Sequence, residues 1–328
     1  MTTTPMGVTF GSLGVLGPGA ATDIAINAQK LGYRSFWSVE ATGTDAMTLL
    51  GAVTHAAPKL DLATGIIPVQ LRTPALTAMS AATLQAMNPE VDVHLGIGVS
   101  APGILRQHGL EASDKPIGMM REYVALLREC LSGESVTFEG DYFQAKRFRL
   151  GVRLGERKPK IVMAALNPQM LKLAGEIADG VLLNYLPVSH VAASIEQVRR
   201  GGNAKIYAYV HAAVGDFEKS AHSARKDLFN YAMADGYARM FRQAGFEAEI
   251  DELRARQAEK DRDGALAAVS KRMIQAIDFI GGESEVTAFV KSYIEAGVEH
   301  PILMPLPWGE DRRAVADATM QAAIDAIN

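Results

Sequence analysis

DLATGIIPVQLRTPALTAM, residues 61–79, decides the fold. Leu60–Ile67 is apolar almost throughout, which predicts a strand covered on both faces. Pro68 has no N–H for a ladder, so the strand is expected to end about there. Thr73 can cap free N–H groups and Pro74 suits a first helical position, so a helix starts there. Asn88-Pro89 ends it. Strand, short loop and helix make one unit of a parallel α/β protein. In such proteins the carboxyl ends of the strands face the site, which places Gly65 and Ile66 there. On its residues alone, GIIP also reads as a plain buried strand end.

The same unit recurs on both sides. Gly7–Ser12 reads as strand one and Ala20–Leu31 as an amphipathic helix stopped by Gly32. Tyr33–Val39 is strand two, running into Glu40, and Asp45–Ala57 is its helix. In strand four, Val91–Gly98, alternation turns Val91, Val93, Leu95 and Ile97 toward outer helices and Asp92, His94, Gly96 and Gly98 toward an axis. Lys115–Leu131 is helix four. Glu134–Leu150 alternates around Glu139-Gly140-Asp141, a hairpin signal. Lys160–Leu166, Gly180–Asn184, Ala204–Ala213 and Pro301–Met304 complete the strands. Asn167-Pro168 caps helix five, which runs to Ala178; helix six spans Ser189–Arg200, and Arg312–Ile327 closes the chain. Asp216–Ala296 is long and mostly helical, with a charged, lid-like part.

Eight strands alternating with helices predict a (β/α)8 TIM barrel, one domain over residues 1–328. A β-hairpin insertion is expected at residues 134–150 after helix 4, and a long helical insertion at residues 231–270 between strands 7 and 8. A doubly wound open sheet competes, but no GxGxxG or Walker A lysine marks a nucleotide fold of those types.

Composition narrows the function. A net charge of −4 offers no field for nucleic acid or a membrane surface, so the expected partner is a small-molecule substrate. One cysteine, Cys130, excludes an internal disulfide and suits a reducing cytoplasm. No signal peptide is read at the N-terminus, and no apolar run reaches the roughly 18 residues of a membrane span. The strand ends gather mostly apolar residues, without a Ser-His-Asp order, a cysteine nucleophile or a close carboxylate pair. That suits a flat aromatic cofactor carrying the chemistry. His94 reads as a hydrogen-bonded interior histidine; nothing at metal-ligand spacing accompanies it, so no metal is expected.

Several blocks carry a resemblance. GIIP, LGYRSFWSVEATGTDAMT (31–48), HLGIGVSAP (94–102), MMREYVALLRECLSGESVTFEGDYF (119–143), AALNPQMLKLAGEIADGVLLNYLP (164–187) and SYIEAGVEHPILMP (292–305) run in order along nearly the whole chain. Together they resemble the luciferase-like monooxygenase superfamily, and most of all its coenzyme F420-dependent oxidoreductase subgroup.

The resemblance implies the cofactor and its cradle. Coenzyme F420, a deazaflavin, is expected, with FMN as the alternative. The peptide between Gly65 and Ile66 would be cis, and Thr64, Gly65 and Ile66 would back the tricyclic ring. Gly98, Val99 and Ser100 would border its edge. Ala165, Leu166 and Asn167 would offer backbone N–H groups to the cofactor phosphate at the positive end of a helix. Glu40 stands where the subgroup has an acid near the ring. It is either a proton donor with a raised pKa or a structural carboxylate paired with an arginine or the backbone.

Two departures matter. Ala41 replaces a histidine of several deazaflavin dehydrogenases, so Glu40, Asn184, Tyr185 and His211 compete as the acid or base. Val99 replaces an arginine that grips phosphate in flavin-using relatives, which tilts toward the deazaflavin. MNPEVD also replaces the Gly-Gly usual before strand four. The implied activity is hydride transfer between coenzyme F420 and a small organic substrate. An FMN-dependent monooxygenase and a non-catalytic deazaflavin carrier are the alternatives, and a homodimer is the expected assembly.

Overall fold

A computed structural model of the chain describes residues 4–328. Elements follow in chain order: β1 (Gly7–Thr9), α1 (Ala20–Leu31), β2 (Ser35–Ser38), α2 (Ala46–Ala56), β3 (Asp61–Thr64), β4 (Ile67–Pro68), α3 (Pro74–Met87) and β5 (Val93–Gly98). Next come α4 (Pro102–Gln107), α5 (Pro116–Cys130), the hairpin strands β6 (Val136–Glu139) and β7 (Gln144–Phe148), β8 (Lys160–Ala164), α6 (Pro168–Ile177), β9 (Gly180–Leu183), α7 (Val188–Arg199) and β10 (Lys205–Val214). The last third holds α8 (Phe217–Ala232), α9 (Asp235–Phe241), α10 (Glu247–Ala258), α11 (Arg262–Ala267), α12 (Lys271–Ile277), β11 (Asp278–Gly281), α13 (Glu283–Glu295), β12 (His300–Pro305) and α14 (Arg312–Ile324).

Parallel pairings run β1–β2–β3–β5–β8–β9–β10–β12 and return from β12 to β1, so the wall closes. This is a (β/α)8 barrel, and closure removes the open sheet from consideration. Local chemistry sets the helix starts. Thr73 accepts from the Leu76 N–H at 3.2 Å ahead of Pro74, and Asp45 caps α2 through the Thr48 N–H at 2.7 Å. Gly32 takes the left-handed conformation, φ 94°, that ends α1.

Strand three departs from the unbroken run that periodicity predicts and has the cis bond that the resemblance implies. It breaks after Thr64 and resumes as β4, where Pro68 lies opposite Gly98. Ala63 pairs with His94 and Ile67 with Ile97, so the β3–β4 side carries one residue more than β5 over the same stretch. The extra residue is a bulge at Gly65-Ile66, and the peptide between them is cis. Gly96 permits it: a Cβ there would stand 1.8 Å from the Thr64 carbonyl oxygen.

A further difference is β11, inside a segment read as helical. It pairs with the upper half of β10, His211 opposite Asp278, while β9 pairs with the lower half. β11 therefore raises the wall above β9. Four residues in IDFIGG are too short a run to separate from the end of a helix by periodicity.

Aromatic rings fill the lower interior. His94 stacks on Trp37, centroids 6.1 Å apart and planes within 7°, and Tyr207 and His300 pack beside them. Trp37 Nε1 donates to Ser35 Oγ at 2.8 Å, and Ser35 Oγ meets His300 Nε2 at 2.9 Å. A ligand entering from the carboxyl ends of the strands would therefore rest above this layer. No helix among the described residues is long and apolar enough to cross a membrane.

Candidate active site

The bulge is held from three sides. Gly65 N–H donates to the Ser38 carbonyl at 2.8 Å, Glu40 N–H donates to the Ile66 carbonyl at 3.1 Å, and Tyr209 Oη donates to the Gly65 carbonyl at 2.7 Å. Thr64 Oγ1 donates to the Gly96 carbonyl at 2.8 Å. A Cβ on Gly98 would lie 3.2 Å from Ala164 Cβ and 3.5 Å from Ile66 Cδ1. Thr64, Gly65, Ile66 and Gly98 thus form one apolar corner, with half-buried Val99 and Ser100 following it.

Ala165, Leu166 and Asn167 lead into α6 on the neighbouring strand end. Asn167 occupies the cap position but its side chain does not cap, contrary to expectation. Nδ2 instead donates to the Gly236 carbonyl at 3.5 Å, and Oδ1 is buried with no partner. The first-turn N–H groups of α6 are therefore left without that side chain.

Glu40 does not stand free in the mouth. Arg72 Nε and a terminal nitrogen grip its two oxygens at 2.9 and 2.8 Å, and Arg72 also pairs with Asp45. Of the two expectations for this acid, the arginine-paired carboxylate is the arrangement present. Arg72 lies in the stretch that decides the fold, and the sequence reading passed over it.

Asn184, Tyr185 and His211 come together. His211 Nε2 lies 2.9 Å from Asn184 Oδ1, and the Tyr185 N–H donates to the same oxygen at 3.0 Å. Tyr185 holds a left-handed φ of 52°, and its ring meets the His211 ring edge-on with centroids 4.0 Å apart. Asn184 Nδ2 donates to Tyr237 Oη at 3.1 Å.

Two acids missed from the sequence complete this cluster. Asp278 is fully buried, with Oδ1 3.0 Å from His211 Nδ1 and Oδ2 unpartnered. Asp227 accepts from Tyr185 Oη at 2.7 Å. Burial pushes Asp278 well above the carboxylate range. Burial, then the charge of Asp278, pushes Asp227 up to about 7. Burial pushes His211 down to about 4, against the pull of Asp227. Burial thus favours the uncharged form of both His211 and Asp278, the state in which their contact is a hydrogen bond without an ion pair. An aspartate set in the apolar run of Ile277, Phe279 and Ile280 was the available signal; Asp227 lies in a charged helix that reads as solvated.

The opposite end of the barrel carries a charged cavity of about 390 Å³, lined in part by Arg34, Asp61, Asp92, His94, Lys160 and Lys205. Here Asp61, Asp92 and His94 each bring a potential ligand atom within 4.8 Å of the others, which corrects the expectation that nothing accompanies His94. The register of β3 with β5 assembles them, and spacing along one strand hides it. Their oxygens are already engaged. Arg34 grips Asp61 at 2.6 and 2.9 Å, while Arg157 and Lys160 hold Asp92 at 3.0 and 2.7 Å.

Comparison with known proteins adds a lineage to this geometry. The family model described as luciferase-like monooxygenase matches residues 6–300. The chain is 23% identical to a 5,10-methylenetetrahydromethanopterin reductase of Methanolobus tindarius, over 83% of this chain and 85% of that one. It is 28% identical to an F420-dependent glucose-6-phosphate dehydrogenase of Nakamurella multipartita, over 55% and 57%. Among solved structures, the coenzyme F420-dependent tetrahydromethanopterin reductase of Methanopyrus kandleri superposes with a TM-score of 0.83 at 20% identity, covering 100% of both chains.

Proposed function

The chain belongs to the luciferase-like monooxygenase family, and from that premise we propose that it is an oxidoreductase passing a hydride between coenzyme F420 and a small organic substrate. The observation that carries this reading is the bulge at Gly65-Ile66, set against a glycine strand end at Gly98. A Cβ on Gly65 would meet Tyr209 and one on Gly98 would meet Ala164 and Ile66, so the two glycines let the bulge close against its neighbours, and a flat ring would lie against the bulge itself. The names of the two curated relatives and of the matching structure point to the same cofactor or to the chemistry it serves.

The residues present fit such a group. Thr64, Gly65 and Ile66 would back the ring, with Gly98, Val99 and Ser100 at its edge. The first-turn N–H groups of α6, which no side chain caps, would meet the phosphate end. When bound, the deazaflavin supplies a hydride donor or acceptor carbon. The protein's part is to hold the substrate carbon against that face, exclude water and place a polar group at the substrate's heteroatom. With Glu40 tied to Arg72, that polar group comes from the Asn184, Tyr185 and His211 side of the mouth. The same reading carries a cytoplasmic location and a homodimer, the latter checked by light scattering on purified protein.

Equilibrium binding of oxidised coenzyme F420 and of FMN, side by side by fluorescence quenching, tests the proposal. Preference for the deazaflavin supports it. Preference for FMN moves the chemistry to oxygen, and binding of neither sinks both. Turnover of reduced deazaflavin with an acceptor separates an enzyme from a carrier.

A further inference from the structure

The cluster above the wall has a direction, which its hydrogen bonds determine. The Tyr185 N–H donates to Asn184 Oδ1, so the amide cannot be flipped without setting its NH₂ against that N–H. Oδ1 is therefore the atom 2.9 Å from His211 Nε2. An acceptor oxygen requires a proton on Nε2. A neutral imidazole then has a bare Nδ1, and the 3.0 Å contact with Asp278 Oδ1 requires the proton to come from Asp278. With the buried imidazole neutral, Asp278 is the carboxylic acid of the pair. Its surroundings agree: it is fully buried, Asp227 stands close by, and neither acid pairs with a lysine or arginine among the described residues. His211 from β10 and Asp227 from α8 stand beside it, and Tyr231 from α8, Tyr185 after β9 and Tyr293 from α13 are near enough to feel its charge.

The direction continues outward. Asn184 has its Oδ1 turned inward, so its Nδ2 donates to Tyr237 Oη at 3.1 Å. Tyr237 therefore accepts, and among the described residues its hydroxyl proton goes to no acceptor. Tyr237 is half-buried on α9, beside Gly236, which receives the Asn167 side chain over the strand ends.

Resting on the deazaflavin reading above, we propose that Asp278, His211, Asn184 and Tyr237 form a one-way hydrogen-bond chain that offers the Tyr237 hydroxyl proton to an acceptor oxygen of the substrate. The substrate class it selects is a carbonyl compound. Tyr237 is the contact that determines this specificity, and Asp278 is a positioning residue acting through His211. A chain whose donors all point one way polarises its last member, so the terminal hydroxyl is a better donor than an isolated tyrosine. Burial also pushes the Tyr237 hydroxyl up to about 12, which keeps its proton in place.

Two measurements test the chain. Nitrogen-15 NMR of histidine-labelled protein, free of cofactor and with His211 assigned through His211→Gln, reads the tautomer directly. A neutral imidazole protonated on Nε2 is expected, and it persists in Asp278→Asn because the new amide donates to Nδ1. Protonation on Nδ1 alone, or an imidazolium near neutral pH, overturns the proposal. The second measurement compares cyclohexanone with methylenecyclohexane, a shape match lacking the oxygen, by saturation-transfer NMR on protein loaded with oxidised coenzyme F420. The wild type should favour the ketone, and Tyr237→Phe should reduce that preference by about three- to tenfold. No preference, or no binding of either probe, overturns it. Because the tautomer is read without cofactor, its failure is separable from a failure of deazaflavin binding.

Discussion

The Tyr209 hydroxyl donates to the Gly65 carbonyl at 2.7 Å, joining strand β10 to the bulge across the barrel. A Cβ on Gly65 would fall 1.9 Å from that hydroxyl, so residue 65 must be glycine for the bond to form. Tyr209→Phe should cost about 1–3 kcal/mol of stability, because a buried carbonyl loses its partner while the ring remains. Urea denaturation measures the cost. Weakened coenzyme F420 binding in the same variant would show that the bond also shapes the cradle.

Gly96→Ala should be worse tolerated than its size suggests. The added methyl would meet the Thr64 carbonyl oxygen, a backbone atom that cannot swing aside. Overpacking of this kind costs about 1–3 kcal/mol or more. A variant with an unchanged urea midpoint would show that the bulge yields freely.

Arg72→Gln should destabilise the mouth more than Glu40→Gln. Arg72 holds two carboxylates, and the Arg72 and Glu40 side chains are only 15% and 11% exposed. Removing one member of a fully buried pair costs about 3–5 kcal/mol, and this pair should fall somewhat below that. Thermal melts of both variants check the order. Equal losses would mean that the Asp45 contact contributes nothing.

Asp227 and His211 should give stability opposite slopes with pH. Asp227 rises from an ordinary 3.8 to about 7 on folding. The folded state then keeps a proton that the unfolded chain has lost, and this stabilisation fades as pH rises from about 4 to about 7. His211 falls from 6.5 to about 4, so its contribution is present above 6.5 and is lost as pH falls toward 4. Relative to wild type, Asp227→Asn should therefore gain stability as pH rises through 4 to 7. Relative to wild type, His211→Gln should gain as pH falls from 6.5 to 4. Denaturation midpoints at a series of pH values read both, and parallel curves for all three proteins would contradict the shifts.

The barrel was legible because its signals repeat. Gly32, Thr73-Pro74 and Asn167-Pro168 punctuate the chain where α1, α3 and α6 end or begin, and the strands between are buried on both faces. Register across strands was not legible. The one-residue surplus at Gly65-Ile66 exists only relative to β5, and the resemblance, not the spacing, raised it. Arg72 and Glu40 lie 32 positions apart, and His211 and Asp278 67 apart. A side chain's partner at such separations depends on which strand lies beside which. That is why Glu40 could be read two ways and why Asp227 and Asp278 were passed over.

The rings of Trp37, His94, Tyr207 and His300 act as a septum between two compartments. Below it, the ion pairs of Arg34, Arg157 and Lys160 include partly exposed cations and answer to added salt. Above it, the Asp278 cluster holds its polarity away from solvent and should be indifferent to salt. The two ends of one barrel can thus be retuned separately, the lower for endurance in a given medium and the upper for the choice of molecule it receives.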